Sequence, residues 1–308
     1  MMKLLNSNSI VGFVVGSAVC LTACLSIGSS DSEKVKDQRP VVSSVTMSPD
    51  IPSSVSFCGK DIDLTRYNMH EGFDRELSSF TYFHSTTMLL IKRANRYFSI
   101  IEPILKKYGV PDDFKYLCMA ESGLNPEARS GAGAAGLWQL MPAYAKSAGL
   151  LVGGEVDERY HVEKSTEAAC RYLVDAKRRL GSWTLAAASF NAGVAGVSRR
   201  LEKQGVTSYY DLFLPSETLR YVFRVLSFKL LVGDPGAYGY RIGTEDYYKP
   251  LPEYKEVTVD SPTIDWTAFA RGHGTNYKLM RELNPLIRDY AHNNIAGRSY
   301  VVKIPADD

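Results

Sequence analysis

The sequence is short of several things that would assign a chain quickly. Histidine is scarce. The five residues His70, His84, His161, His273 and His292 show no metal-ligand spacing, so no metal and no other cofactor is expected. Charge of one sign is lacking too. Lys+Arg total 36 against 34 Asp+Glu, a formal net charge of +2, which gives no strong field for nucleic acid. Cysteine is sparse, five in 308 residues, and none reads as a nucleophile. The N-terminal apolar run, about Ile10 to Leu21, is too short for a comfortable membrane span. No constellation supports a serine or metal hydrolase.

What is present is ordinary in composition, with 45% hydrophobic and 23% charged residues, enough for one or two domains with a proper core. The informative stretch is ESGLNPEARSGAGAAGLWQLMP, Glu121 to Pro142. The preceding PDDFKYLCMAES opens with Pro111, suited to a first helical position, and with Asp112 and Asp113 at the positive helix start. Phe114, Leu117, Cys118 and Glu121 then share one helix face. Burial on that face raises a carboxyl pKa and keeps a proton available near neutrality, as a general acid for a glycosidic oxygen requires. The alternative is a rim carboxylate that caps the next loop. Gly123, Gly131, Gly133 and Gly136 with four alanines follow, allowing close backbone approach. A flexible loop is the plainer explanation, but Trp138 and Gln139 argue against it: an aromatic and an amide suit the faces and hydroxyl edges of a sugar.

Glu121-Ser122, Pro126, Ala128, Ser130 and then Gly133 through Pro142 resemble the signature of the soluble lytic transglycosylase family, a branch of the lysozyme superfamily. Many positions match at fixed spacing. Three later stretches also match: DERYHVEKSTEAACRYL (157–173), ASFNAG (188–193) and LPSETLRYV (214–222). Residues of about 67–120 resemble the helical lead-in of the membrane-bound lytic murein transglycosylase D group, so the resemblance covers about 67–235.

The resemblance implies that Glu121 is the catalytic acid and base. It implies that Ser122, Ser130, Gln139 and Met141 line sugar subsites, with Phe190, Asn191, Ala192 and Tyr221 near the catalytic carboxyl and the cleaved sugar. Two departures stand out. Phe190 replaces the usual Tyr before Asn-Ala-Gly, and Tyr144 replaces the Thr after Met-Pro-x; changed substrate contacts are expected at both. The implied partner is the glycan strand of peptidoglycan. Most glycosidases pair two carboxylates across the bond. Between Glu121 and Pro142 the only other carboxylate is Glu127, expected to be solvated, and Asp157 and Glu217 cannot be placed from sequence. A single acid suffices where the muramyl C6 hydroxyl attacks its own anomeric carbon to give a 1,6-anhydro ring, which is the family's chemistry. The carboxylate count does not contradict it. The rivals are a muramidase of similar fold that uses water, and a non-catalytic peptidoglycan-binding lipoprotein, which decayed catalytic positions would favour. Glu121, Gln139, Asn191 and Tyr221 all stand.

Lys3, the apolar run and Leu21-Thr22-Ala23-Cys24 resemble a bacterial lipoprotein signal cut before Cys24, which then carries lipid. Cys20 is a poorer candidate, since Val19 occupies the small-residue position. The alternatives are an ordinary signal peptide or a single membrane anchor. Attachment to the outer membrane, facing the periplasm, is the expected location. Residues 25–56, rich in Ser with Pro40, Pro49 and Pro52, read as a disordered tether. Fully extended, such a segment reaches about 100 Å at ~3.3 Å per residue. Cys58, Cys118 and Cys170 remain. Three cannot all pair internally, and Cys118 and Cys170 are most simply core residues, with a partner for Cys58 left open.

Helical periodicity runs over 74–108, 162–180 (stopped by Gly181) and 216–231. Lys177, Arg178 and Arg179 read as a solvated face. Gly233 to Gly236 and the Tyr/Pro-rich 238–253 mark a boundary. Beyond it, 254–306 reads strand, helix, helix, strand, and LNP (283–285) and YVVKIP (300–305) resemble a degenerate LysM-like glycan-binding module. Trp266 and Tyr277 are its candidate sugar-stacking rings, or else core aromatics. The expected fold is therefore mainly α: signal 1–23, tether 24–58, a lysozyme-like helical domain 59–235, linker 236–253 and a small α+β module 254–308.

Overall fold

The computed structural model describes residues 46–306. The expected signal segment 1–23, the lipidation candidate Cys24 and the tether up to residue 45 lie outside the described residues.

The tether expected through residue 58 stops short. Strands β1 (Ser54–Phe57) and β2 (Lys60–Asp63) pair antiparallel around a two-residue turn at Cys58 and Gly59, whose φ values are 51° and 76°. Alternation within the Ser-rich stretch puts Val55, Phe57 and Ile62 inward. Phe57 packs on Phe114, and the Cys58 N–H donates to Asp113 Oδ2 at 2.6 Å. The hairpin is thereby fastened to the start of the helix that carries Glu121.

The periodic stretch expected as one helix over 74–108 is two, α1 (Tyr67–Tyr82) and α2 (His84–Lys107). Neither Gly nor Pro marks the break at Phe83. It is held by hydroxyls that take the carbonyls freed at the end of α1. Thr87 Oγ1 donates to Phe80 O at 2.5 Å, and the Tyr240 hydroxyl donates to Thr81 O at 2.7 Å. Helix α3 (Phe114–Ser122) begins three residues later than Pro111 suggests and ends on left-handed Gly123, φ 61°. A loop leads to the short α4 (Pro142–Ser147), with Pro142 in its first turn. Helix α5 (Val162–Leu180) stops at left-handed Gly181 as expected, and α6 (Trp183–Ala192) is capped by Ser182, which accepts from the Leu185 N–H at 3.2 Å. Helices α7 (Val194–Gln204) and α8 (Ser216–Gly233) complete the body. Helix α3 packs against α2 and α8, and its apolar residues Phe114, Leu117 and Cys118 are wholly buried at the centre of the main core.

The expected linker 236–253 is irregular but laid along α2. Asn95 Nδ2 donates to Tyr248 O at 3.0 Å and Arg96 Nε to Lys249 O at 2.8 Å. The C-terminal module then forms β3 (Tyr254–Val259), β4 (Thr263–Asp265), α9 (Trp266–Gly272), α10 (Tyr277–Leu283), β5 (Ala291–Asn293) and β6 (Tyr300–Pro305). Strand β3 pairs antiparallel with β6, and the short β4 with β5. Trp266 is 1% exposed in the module's own core, so it is no sugar platform. Tyr277 is half-buried and stacks on exposed Tyr290 at 4.8 Å. The described residues are mainly α, ten helices with the strands confined to hairpin and module. Cys58, Cys118 and Cys170 are unpaired thiols, the latter two in the core as expected.

Candidate active site

Helix α3 is short and apolar, and its last turn delivers Glu121 to the edge of the core. The Tyr221 hydroxyl, reaching from α8, donates to Glu121 Oε1. Burial pushes the Glu121 carboxyl up to about 7; the Tyr221 bond and the Arg224 charge pull it down, and nearby Glu217 pushes it up. The group therefore holds a proton near neutrality and can release it, as the sequence reading expects from the buried face. Asn191 stands exposed near the end of α6, and its Oδ1 accepts from Thr218 Oγ1 at 2.8 Å. Thr218 lies one helical turn before Tyr221 on α8. So α8 collects Glu121 and Asn191, from two other helices, on adjacent turns.

The loop after Glu121 is a built object. Gly123 O accepts from Arg93 Nη1 at 2.9 Å, and the chain then folds into a small bridged platform, Arg129 opposite Ala135 and Ala135 opposite Leu140. Gly136 is obligatory: a Cβ there would meet Arg159 O at 1.9 Å, and φ is 77°. Buried Arg159 is the loop's internal clamp. Its Nη1 donates to Gly133 O at 2.6 Å and Leu140 O at 3.1 Å, while Asp157 takes Nη2 at 2.7 Å. Leu137 O lies 3.6 Å from Cys118 Sγ, one turn below Glu121, which ties the platform to α3.

Several of the expected substrate contacts have partners within the fold. Trp138 is wholly buried and donates Nε1–H to Thr166 Oγ1 at 2.8 Å, so it is a core residue, not a sugar-facing one. Gln139, at φ 45°, donates Nε2–H to Ala128 O at 3.1 Å and Gly136 O at 2.8 Å. Ser130 Oγ accepts from the Ala134 N–H at 3.0 Å. Ser122 Oγ leans back toward Cys118 O at 3.4 Å. Met141 is 47% exposed and Ala192 is half-buried. Of the two departures, Phe190 packs edge-on to Tyr172 at 5.3 Å and beside Trp138. Tyr144 turns into the fold, donating its hydroxyl to Ala168 O of α5 at 2.8 Å.

The carboxylates can now be placed. Glu127 is not merely solvated: it pairs with Arg281 and Arg288 of the module at 3.1 and 2.6 Å. Asp157 is 4% exposed and chelated by Arg159. Glu217 is held by Arg224 at 3.0 Å. One cluster escapes sequence reasoning altogether. Glu76 on α1 is wholly buried and takes Arg220 at 2.6 Å and Arg224 at 3.2 Å from α8, with Arg75 at 3.3 Å. The i, i+4 pair of arginines on α8 is its only sequence signal. A separate cleft of about 910 Å³ lies between the start of α1 and residues 209–214, and none of the expected site residues lines it.

Comparison with known proteins fits this geometry. Residues 98–213 match the family described as the transglycosylase SLT domain, and 255–308 match the soluble lytic transglycosylase C-terminal LysM-like domain. Membrane-bound lytic murein transglycosylase D of Escherichia coli strain K12 is 30% identical over 221 residues, covering 70% of this chain and 47% of the relative. The protein of that name from Escherichia coli O6:H1 gives the same figures, 30%, 70% and 47%. The chain thus spans about half the length of the curated relatives it matches. Among solved structures, the X-ray structure of an inactive mutant of lytic transglycosylase Slt from Pseudomonas aeruginosa matches at 23% identity and a TM-score of 0.38, covering 49% of this chain and 26% of that one. The two domain matches and the curated relative, taken with the mainly helical body that holds Glu121, make the chain a homologue of membrane-bound lytic murein transglycosylase D, with an SLT transglycosylase domain followed by a LysM-like C-terminal domain.

Proposed function

We propose that this chain is a peptidoglycan lytic transglycosylase that cleaves the β-1,4 bond between N-acetylmuramic acid and N-acetylglucosamine. The observation that carries the reading is the Glu121 carboxyl, raised to about 7 by burial and fixed by the Tyr221 hydroxyl. Glu121 gives its proton to the glycosidic oxygen as the bond from that oxygen to the muramyl anomeric carbon breaks. The neighbouring N-acetyl group steadies the cation. The muramyl C6 hydroxyl then bonds to the anomeric carbon, and its proton returns to Glu121. No water is consumed and a 1,6-anhydromuramyl end results. Asn191 and the exposed Met141 are the side chains of the expected set best placed to meet sugar. Ser122, Ser130 and Gln139 act by shaping the backbone of the subsites, and Phe190 and Ala192 by packing behind them.

The engagement of Glu127, Asp157 and Glu217 in ion pairs supports a single-carboxyl mechanism over hydrolysis by a muramidase. We place the catalytic domain at 54–235, with the β1–β2 hairpin included, and the module at 254–308, and propose that lipid on Cys24 holds the protein at the outer membrane, facing the periplasm. Mass spectrometry of muropeptides released from purified peptidoglycan, with Glu121→Gln alongside, tests the chemistry. The expected result is anhydromuramyl ends that vanish in the variant. Reducing muramyl ends would make the protein a hydrolase. Binding without release would make it a non-catalytic peptidoglycan-binding lipoprotein.

A further inference from the structure

The C-terminal module meets the helical body along one seam, and that seam leads to the loop after Glu121. Glu127 of the loop takes Arg288 Nη1 at 2.6 Å and Arg281 Nη2 at 3.1 Å. Residues 155–157 run beside the module as an added strand segment. The Asp157 N–H donates to Leu286 O at 2.9 Å, the Arg288 N–H donates to Glu155 O at 2.8 Å, and Val156 lies in the module's apolar core. The Arg288 guanidinium rests 3.9 Å from the centre of the Tyr160 ring, and Lys303 pairs with Glu163.

Two of these contacts, at Asp157 and beside Glu127, pass to the platform by a second bond. Asp157 clamps Arg159, which holds Gly133 O and Leu140 O. Ala128, next to Glu127, accepts from the Gly136 N–H at 2.9 Å and from Gln139 Nε2 at 3.1 Å. Single exposed ion pairs contribute little. Here the pair to Glu127 is doubled, stacked on an aromatic ring and backed by two main-chain bonds and a shared apolar core. Arginine suits the place because its planar fork can pair and stack at once.

We infer that the C-terminal module is a strut for the 126–141 platform, and that Arg288, whose side chain grips Glu127 and Tyr160 together, is a positioning residue for it. The module's role is then to set the shape of the site, whatever glycan it also binds. The inference rests on the proposed function only for its effect on turnover.

Hydrogen exchange of the full chain tests it, comparing the parent, Arg288→Glu and the swapped pair Glu127→Arg/Arg288→Glu. In Arg288→Glu the amides of Gly133, Ala135, Gly136 and Leu140 are expected to exchange about tenfold faster, with α8 unaffected and the swap restoring part of the protection, since the Tyr160 stack is not rebuilt. On peptidoglycan, muropeptide release is expected to slow while the amount of chain bound stays the same, again with partial rescue by the swap. Unchanged platform exchange in Arg288→Glu would overturn the inference. So would equal acceleration throughout α8, which signals general loosening, or failure of the swap to restore any protection. A parent chain that releases no anhydromuropeptides would sink the functional reading alone, since the exchange result needs no turnover.

Discussion

Glu121 and Tyr221 form the smallest unit with a chemical consequence. A carboxyl that titrates at about 7 is protonated below that pH and ionised above it. A reaction that starts by proton donation therefore loses rate as the pH rises through about 7. The Tyr221 hydroxyl stabilises the ionised form, so removing it raises the Glu121 pKa further. Tyr221→Phe is thus expected to move the alkaline limb of the pH–rate profile upward by about half to one unit, while turnover falls about tenfold as the carboxyl loses its fix. A profile measured across neutrality checks both, and a limb that moves down would contradict the assignment. At this scale the sequence was readable where a motif constrains it. The helix face of Phe114 and Leu117 gives the burial of Glu121. The roles of Trp138 and Gln139 were not readable, because residue type does not say whether an indole faces sugar or core, and only the folded loop shows their partners in Thr166 and Gly136.

Among the elements, α8 does most of the assembling. It presents Thr218 to Asn191 and Tyr221 to Glu121, while Arg220 and Arg224 grip Glu76 on α1. Truncating one partner of a buried ion cluster leaves charges unpaired. Arg220 and Arg75 partly reach water, so Glu76→Ala is expected to cost about 3 kcal/mol, the low end for such a change, in urea unfolding. A loss under about 1 kcal/mol would show that the arginines escape to solvent. Elements whose ends are set locally were readable from sequence: Gly181 stops α5 by its own left-handed backbone. The break at Phe83 was not, because its carbonyls are taken by Tyr240 from a distant segment. The β1–β2 hairpin was hidden for a different reason. Serine-rich composition suggested a tether, while the alternation of Val55 and Phe57, followed by the turn at Cys58 and Gly59, carried the strand signal.

Over the whole molecule, the body and the C-terminal module share more than a linker. Val156 is buried in the module's core, and the linker is bound to α2 at residues 246–249. Domains joined by a free linker commonly melt separately; parts that share a core do so together. A single calorimetric transition is therefore expected for residues 47–306, and two resolved transitions would show that the seam contributes little. The module's existence was legible in its strand–helix–helix–strand pattern, but its seam was not, since Glu127 and Arg288 lie far apart in sequence and nothing local links them.

The unpaired thiols lend themselves to a use of their own. Burial holds Cys118 well above its ordinary range and raises Cys170 to about 12, so neither forms appreciable thiolate in the folded protein. Both are wholly enclosed, Cys118 one turn beneath Glu121 and Cys170 on α5. They are sheltered from oxidants and thiol reagents in the surrounding solution. Each becomes chemically visible only when the helical core opens around it. The rate at which a reagent consumes them under native conditions is then an intrinsic clock for that opening, read without substrate, label or turnover.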